Sequence, residues 1–202
     1  MSRRVIGVVA VATPFWFLAV YLIMAGMRPD YSYLTRMISE LGSIHAPHRW
    51  FWNVLGFILP GLAIALLGAG LKAEFRGTGR LAVVPGFAIM ASGLTMALSG
   101  IFSANMANMS APTTIVHLTV STISYVAFLI AGLWLPFIFR KHDTWRWLTW
   151  PSPVLAIASI LPMLLVPNSA PGVAQRIIFA CMLVWIALVG YGLMRPAASD
   201  SL

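Results

Sequence analysis

Acid is scarce in this sequence: its 202 residues hold five Asp and Glu, and 9% of all side chains are charged. A water-soluble domain carries about 25% charged residues, so the polar surface needed to coat a soluble globule is missing. There is one cysteine, Cys181. That excludes an intramolecular disulfide, and a lone cysteine in an apolar run is a small packing residue. The sequence has no glycine-rich phosphate loop and no nucleophile elbow. No acid or base sits near the middle of an apolar run, which speaks against a proton pump or an ion channel.

What is present is apolar. Hydrophobic residues make up 60% of the chain, and the mean hydropathy is +0.88. They gather in six runs, near Val5–Met27, Trp50–Leu71, Leu81–Phe102, Thr114–Phe139, Trp147–Val166 and Ile177–Met194. A helix needs roughly 20 residues to cross the hydrocarbon layer. In lipid no water satisfies backbone N–H and C=O groups, so each run must be helical. The expected fold is therefore all-α: a polytopic membrane bundle of six transmembrane helices forming a single integral membrane domain over residues 1–202. The first run follows Arg3-Arg4 as a signal peptide would. It is longer than an h-region of about 7–15 residues and reads as a retained first span. Pro14 lies in its first half, and the tail after Arg195 is expected to fray.

The formal net charge is +8. If the spans alternate in direction, Arg3, Arg4, Lys72, Arg76, Arg80, Arg140, Lys141, Arg146 and Arg195 share one face. Arg28, Arg36, Arg49 and Arg176 share the other. That is nine against four of the 13 Lys and Arg. The positive-inside rule then places both termini in the cytoplasm and the protein in the cell inner (plasma) membrane. Charge distributed in this way marks topology and contacts membrane lipids, so no nucleic-acid partner is expected.

The longest break, Arg28–Arg49, lies on the outer side. Tyr31, Leu34, Ile38 and Leu41 recur at helical spacing, with Asp30 as an N-cap and Gly42 as a C-terminal cap. A short external amphipathic helix over Tyr31–Gly42 is expected, lying across the mouth of the bundle. Trp50 and Trp52 mark the outer interface, and Trp145, Trp147 and Trp150 the inner one. Gly56, Gly61, Gly68 and Gly70 in the second span, and Gly86, Gly93 and Gly100 in the third, form stripes along which another helix can approach closely. The partner helix is either within the chain or in a homo- or hetero-oligomer.

Polar side chains within the spans are few and patterned. Thr114, His117, Ser121 and Ser124 share one face of the fourth span; Ser92, Thr95, Ser99 and Ser103 share one face of the third. Hydroxyls at such positions bond to their own helix, glue helices together or line a wet cavity. His117 is titratable within a span, which makes it a functional-site candidate by default. Topology gathers Ser39, Glu40, Ser103, Asn105, His117 and Arg176 in the outer third, and Glu40 with Arg176 is the expected ion pair. His45 and His48 flank Pro47 in a loop and make a weak zinc motif, so no metal is expected. His117 stands alone for a haem, and no cofactor is expected.

The stretch Ile38-Ser39-Glu40-Leu41-Gly42 with Trp52-Asn53-Val54-Leu55-Gly56 resembles a prokaryotic membrane family known as Domain of Unknown Function family 998. So do Gly100-Ile101-Phe102-Ser103-Ala104-Asn105, His117 early in the next span, and Gly172-Val173-Ala174-Gln175-Arg176-Ile177. The ordered set covers nearly the whole chain. The resemblance implies a six-helix bundle with an external amphipathic segment and no established activity. It maps Ser39, Glu40 and Gly42 onto the family's Ser-Glu-Leu-Gly element, and His117 and Arg176 onto its intramembrane polar positions. The chain departs at Ser103-Ala104-Asn105, where the family pattern is expected to read Pro-x-Asp. An asparagine cannot serve as a carboxylate base.

Two function classes follow, with a third beside them. The leading expectation is a non-enzymatic binder of a lipid or small amphiphile. Its pocket would open outward, with Glu40, His117, Arg176, Ser39 and Asn105 as ligand-binding residues. The alternative is a membrane-embedded lipid hydrolase, with His117 as base, Ser103 or Ser121 as nucleophile and Arg176 steadying an oxyanion. The third is a structural subunit that packs through its glycine stripes. Whether the protein is an enzyme stays open at this level.

Overall fold

The computed structural model describes residues 1–196; from residue 197 onward the expected frayed tail lies outside them. Six helices are long and apolar enough to span a membrane: Arg3–Gly26, Arg49–Glu74, Arg80–Ile101, Pro112–Phe139, Arg146–Leu165 and Pro171–Met194. No strand occurs among the described residues. The protein is a multi-pass, all-helical membrane bundle. Each span packs against its neighbours in sequence, and the sixth closes the ring against the first.

Glycine sets the tightest of these contacts. A Cβ on Gly93 would run into Gly61 and Ala65, and one on Gly68 would run into Gly86 and Met90. Gly61 and Gly68 of the second span therefore face Gly93 and Gly86 of the third within the chain, as small residues allow, whereas Gly70 faces Ile6 and Leu193 of the first and sixth spans. On the terminal face, Glu74 locks three segments together. Arg3 Nη2 donates to its carboxylate at 2.8 Å, and Trp145 Nε1 donates at 3.1 Å. Trp145 is buried and stacks on Phe139.

Two elements differ from expectation. The sixth span starts at Pro171 rather than Ile177, because proline at the first helical turn removes an N–H that would have no partner anyway. This brings Gly172, Gln175 and Arg176 into the helix. The segment between the first two spans is not an amphipathic α-helix. Only Ile38–Gly42 is helical, as a single 3₁₀ turn after the extended Met37. The physical cause is competition for its N–H groups: Gln175 takes those of Ile38 and Ser39, and the Glu40 carboxylate takes that of Met37. Tyr31, Ile38 and Leu41 still face inward, while Leu34 is exposed. Asp30 does not cap; it pairs with Arg28 at 3.0 Å.

The second span widens into a π-helical turn over Asn53–Ile58, just before Pro60. Proline cannot donate to the carbonyl one turn back and its ring clashes there, and a π turn is a common way to accommodate such a mismatch. Trp16 Nε1 donates to the Leu55 carbonyl at 2.9 Å, satisfying an oxygen in this widened stretch. The bulge aims Asn53 inward, where it is fully buried.

Candidate functional site

One end of the bundle holds a plug, and a cavity lies beneath it. The plug is the segment between the first two spans, and Arg176 at the start of the sixth span is its main anchor. Arg176 Nε donates to Tyr21 Oη at 2.7 Å and Nη2 to Tyr31 Oη at 2.9 Å. Its Nη1 donates to the carbonyls of Arg36 and Gly172. The guanidinium also sits 5.4–5.5 Å from the ring centroids of Tyr21, Tyr31 and Tyr33, which is cation–π range. Burial raises the Tyr31 phenol well above its ordinary pKa, and the Arg176 charge only partly opposes this.

The expected ion pair between Glu40 and Arg176 is not formed. Glu40 pairs with Arg36, four residues before it, at 3.0 Å and accepts the Met37 N–H at 2.9 Å. Arg28 Nη1 donates to the Glu40 carbonyl and Nη2 to Asp30, whose carboxyl is held below the usual range by that hydrogen bond and charge. Gln175 Oε1 accepts from Ile38 N at 2.6 Å and Ser39 N at 3.4 Å. Gly42 lies so close to Trp52 and Asn53 that a Cβ there would collide with both. Asn53 Nδ2 donates to the Gly42 carbonyl at 3.2 Å and to Ser103 Oγ at 2.8 Å.

His117 ends up in a different role from the one its isolation suggests. Its Nδ1 lies 2.9 Å from the carbonyls of both Ser99 and Phe102. Two acceptors on one nitrogen require that nitrogen to carry the proton. The imidazole thereby caps the C-terminal end of the third span, where carbonyls lack helical partners. Among the described residues no hydroxyl hydrogen-bonds to either ring nitrogen of His117. Ser103 is bonded to Asn53, and Ser121 has no hydrogen-bonded partner there. The hydroxyl–imidazole contact that a serine hydrolase needs is absent from this arrangement. Asn105 folds its own loop: Oδ1 accepts the Ala107 N–H at 3.0 Å, and its backbone N–H donates to Thr114 Oγ1 at 2.8 Å. His45 and His48 are both exposed, and no group of three or more metal-ligating side chains occurs among the described residues.

The polar stripes mostly join the third and fourth spans. Ser124 Oγ donates to the Ser92 carbonyl at 2.8 Å, and Ser99 Oγ returns to Met96 of its own helix at 2.7 Å. The cavity is lined by part of those polar faces, Ser121 and Ser124 of the fourth span and Ser99 of the third, and beside them by Leu118, Thr122 and Tyr125. It measures about 240 Å³ and is bounded also by Phe57, Met96, Phe179 and Met182, with Ser39 and Gln175 at the plug. Exposed Leu118, Thr122 and Met163 form its rim. No charged side chain lines it. The cavity thus takes in Ser39 and Ser121 of the sequence candidates. Glu40, His117, Arg176, Ser103 and Asn105 hold the surrounding scaffold. Gln175, Thr122 and Tyr125 are the residues that sequence reasoning passed over. Gln175 was within reach, since it precedes Arg176 in the Gly172–Ile177 motif.

Fold and site together define a multi-pass membrane protein with one plugged end. The model of the family described as "Protein of unknown function (DUF998)" matches residues 11–192, and the chain belongs to that family. No curated protein and no solved structure matches it.

Proposed function

We propose that this protein binds an amphiphile whose buried end is uncharged, held in the cavity beneath Ser39 with its hydrocarbon part in the surrounding bilayer. The observation that carries this reading is the character of the cavity wall: hydroxyls and one carboxamide among methionine and phenylalanine, and no charge. A phosphate or carboxylate placed there would lose its water with no cation to meet it, which is costly. A hydroxyl or amide head can be satisfied by the unbonded Ser121 hydroxyl and by the Gln175 carboxamide nitrogen, whose oxygen is already engaged. At roughly 30 Å³ per water-sized group, the cavity has room for about eight such groups. That suits a small head or a short stretch of chain, with the remainder outside. The exposed rim residues belong to the fourth and fifth spans, so lateral access from lipid would need no movement of the plug. By the charge distribution this is the outer leaflet.

The test is a photoreactive diacylglycerol presented to the protein in nanodiscs. Labelling of peptides from the fourth and sixth spans, reduced by Ser121→Leu with Thr122→Leu, is the expected result. Labelling that is evenly spread over the lipid-facing surface, or unchanged in the filled variant, would overturn the reading. Nothing in the geometry of His117 favours hydrolysis over binding.

A further inference from the structure

A second cavity, of about 450 Å³, lies at the opposite end of the molecule, on the face that carries the chain ends. Its polar wall is Arg80, Lys141, His142 and Thr78; Trp134 and Phe137 supply an apolar wall. Arg80 opens the third span, while Lys141 and His142 follow the fourth, so the site sits between the basic ends of two packed helices.

Among the described residues the charge here is uncompensated. The acids of this face among the described residues are Glu74 and Asp143. Glu74 is engaged by Arg3 and Trp145, and Asp143 is paired with Arg146 at 3.6 Å. Neither Arg80 nor Lys141 has an ion-pair or hydrogen-bonded partner among the described residues. Arg140 adds positive charge beside the site, lying 5.5 Å from the Phe137 ring centroid. Two cations and an imidazole above an exposed aromatic wall match an anionic head continued by a hydrocarbon chain. Basic pockets between spans at this depth suit lipid phosphates.

We infer that this cavity binds the phosphodiester head of an anionic membrane lipid, with Arg80 and Lys141 as its counter-ions and Trp134 and Phe137 beside the first carbons of its chains. The site is independent of the outer cavity: its ligand is anionic and it is lined by other residues.

Native mass spectrometry from nanodiscs of phosphatidylcholine, with and without phosphatidylglycerol, tests it. The wild type is expected to retain one phosphatidylglycerol more tightly than the rest. Arg80→Gln with Lys141→Gln is expected to weaken that lipid roughly thirty-fold, taking the ordinary contribution of two basic residues near an anionic surface. Arg4→Gln with Arg76→Gln removes the same charge from the same face and is expected to leave it bound. Arg80→Lys with Lys141→Arg keeps the charge and is expected to retain it, which separates lost binding from lost fold. Equal loss in both glutamine pairs would overturn the site in favour of general surface attraction. Displacement of the lipid by millimolar inorganic phosphate would overturn the lipid as the source of the anion.

Discussion

Arg176 donates from Nη1 to the main-chain oxygen of Arg36 at 3.0 Å, while the Arg36 side chain turns the other way and pairs with Glu40. One arginine therefore stands between the acid and the second arginine, using its backbone for one and its side chain for the other. This places the carboxylate in the plug and the guanidinium of Arg176 against the spans. A charge exchange, Glu40→Arg with Arg176→Glu, is accordingly expected to fail as a rescue, each substitution being as damaging in the pair as alone. Arg176→Lys is expected to cost about 2–4 kcal/mol despite keeping the charge, because an ammonium cannot reach two phenols and two carbonyls as the planar fork does. Thermal unfolding in detergent, followed by circular dichroism, measures both.

The Tyr31 phenol gives the plug a pH signature. Its pKa is raised in the folded protein by burial, against an ordinary value near 10. A raised pKa means that the neutral phenol is the form the fold prefers. Its contribution is full below pH 10. Above that the unfolded chain ionises while the folded one resists, so the contribution is lost as pH rises toward the folded value. Stability is expected to fall steeply on the alkaline side, and Tyr31→Phe to flatten that limb while lowering stability at neutral pH through the lost hydrogen bonds to Met37 and Arg176. Unfolding midpoints measured between pH 7 and 11 on both proteins decide it.

Six spans were readable from the sequence because hydrocarbon leaves the backbone one solution, and twenty apolar residues announce it. The external segment was not, because its apolar spacing reports which residues turn inward and not which groups take the backbone N–H. Tyr31, Ile38 and Leu41 do face inward, yet Gln175, more than a hundred residues away, supplies the acceptor that replaces the helix. His117 was legible as an unusual residue but not as a cap, since its partners are carbonyls and carbonyls leave no mark on sequence. Ser121 and Ser124 pointed to the right helix and to part of the right face. The cavity extends from them onto Leu118, Thr122 and Tyr125, an extent that only the packing of the fourth span against its neighbours determines.

The glycine stripe makes a contrast within one residue type. Gly93 presses on the backbone of Gly61 and Ala65, whereas Gly26 has nothing within 4 Å of where a Cβ would stand. Gly93→Ala must push the second and third spans apart and is expected to destabilise by about 1–3 kcal/mol, the range of core overpacking. Gly26→Ala is expected to be neutral or slightly stabilising. Equal behaviour of the two variants in thermal unfolding would contradict the close approach of these spans.

Gly42 is a sharper case, because the obstacle is a side chain with a task of its own. A methyl group there would strike the Asn53 carboxamide and the Trp52 ring. Asn53 would have to swing away and release both Gly42 and Ser103. Gly42→Ala is expected to cost at least about 2 kcal/mol, overpacking together with lost buried hydrogen bonds. Asn53→Ala in that background is expected to restore some of the loss by making room, a non-additivity that a double-mutant cycle in unfolding free energy reads directly.

His117 separates a scaffold from a catalyst most cleanly. If its work is to donate one proton to Ser99 and Phe102, the requirement is a donor at Nδ1 and nothing at Nε2. Asparagine can present a carboxamide N–H near the same place, whereas leucine presents none and leaves the buried Ser99 carbonyl and the part-buried Phe102 carbonyl without that donor. Each unsatisfied carbonyl costs about 1–3 kcal/mol. His117→Leu is therefore expected to lower the unfolding midpoint strongly, and His117→Asn to recover much of it. Binding of a diacylglycerol probe in the outer cavity is expected to survive His117→Asn, since the imidazole is not among the residues lining that cavity. A base in a hydrolytic reaction would behave in the opposite way: asparagine cannot take up a proton, so the variant would fold and turn over nothing. Unfolding midpoint and probe retention on the one pair of variants distinguish the two, and an intact fold with lost turnover of a lipid ester by His117→Asn would make the imidazole a catalyst after all.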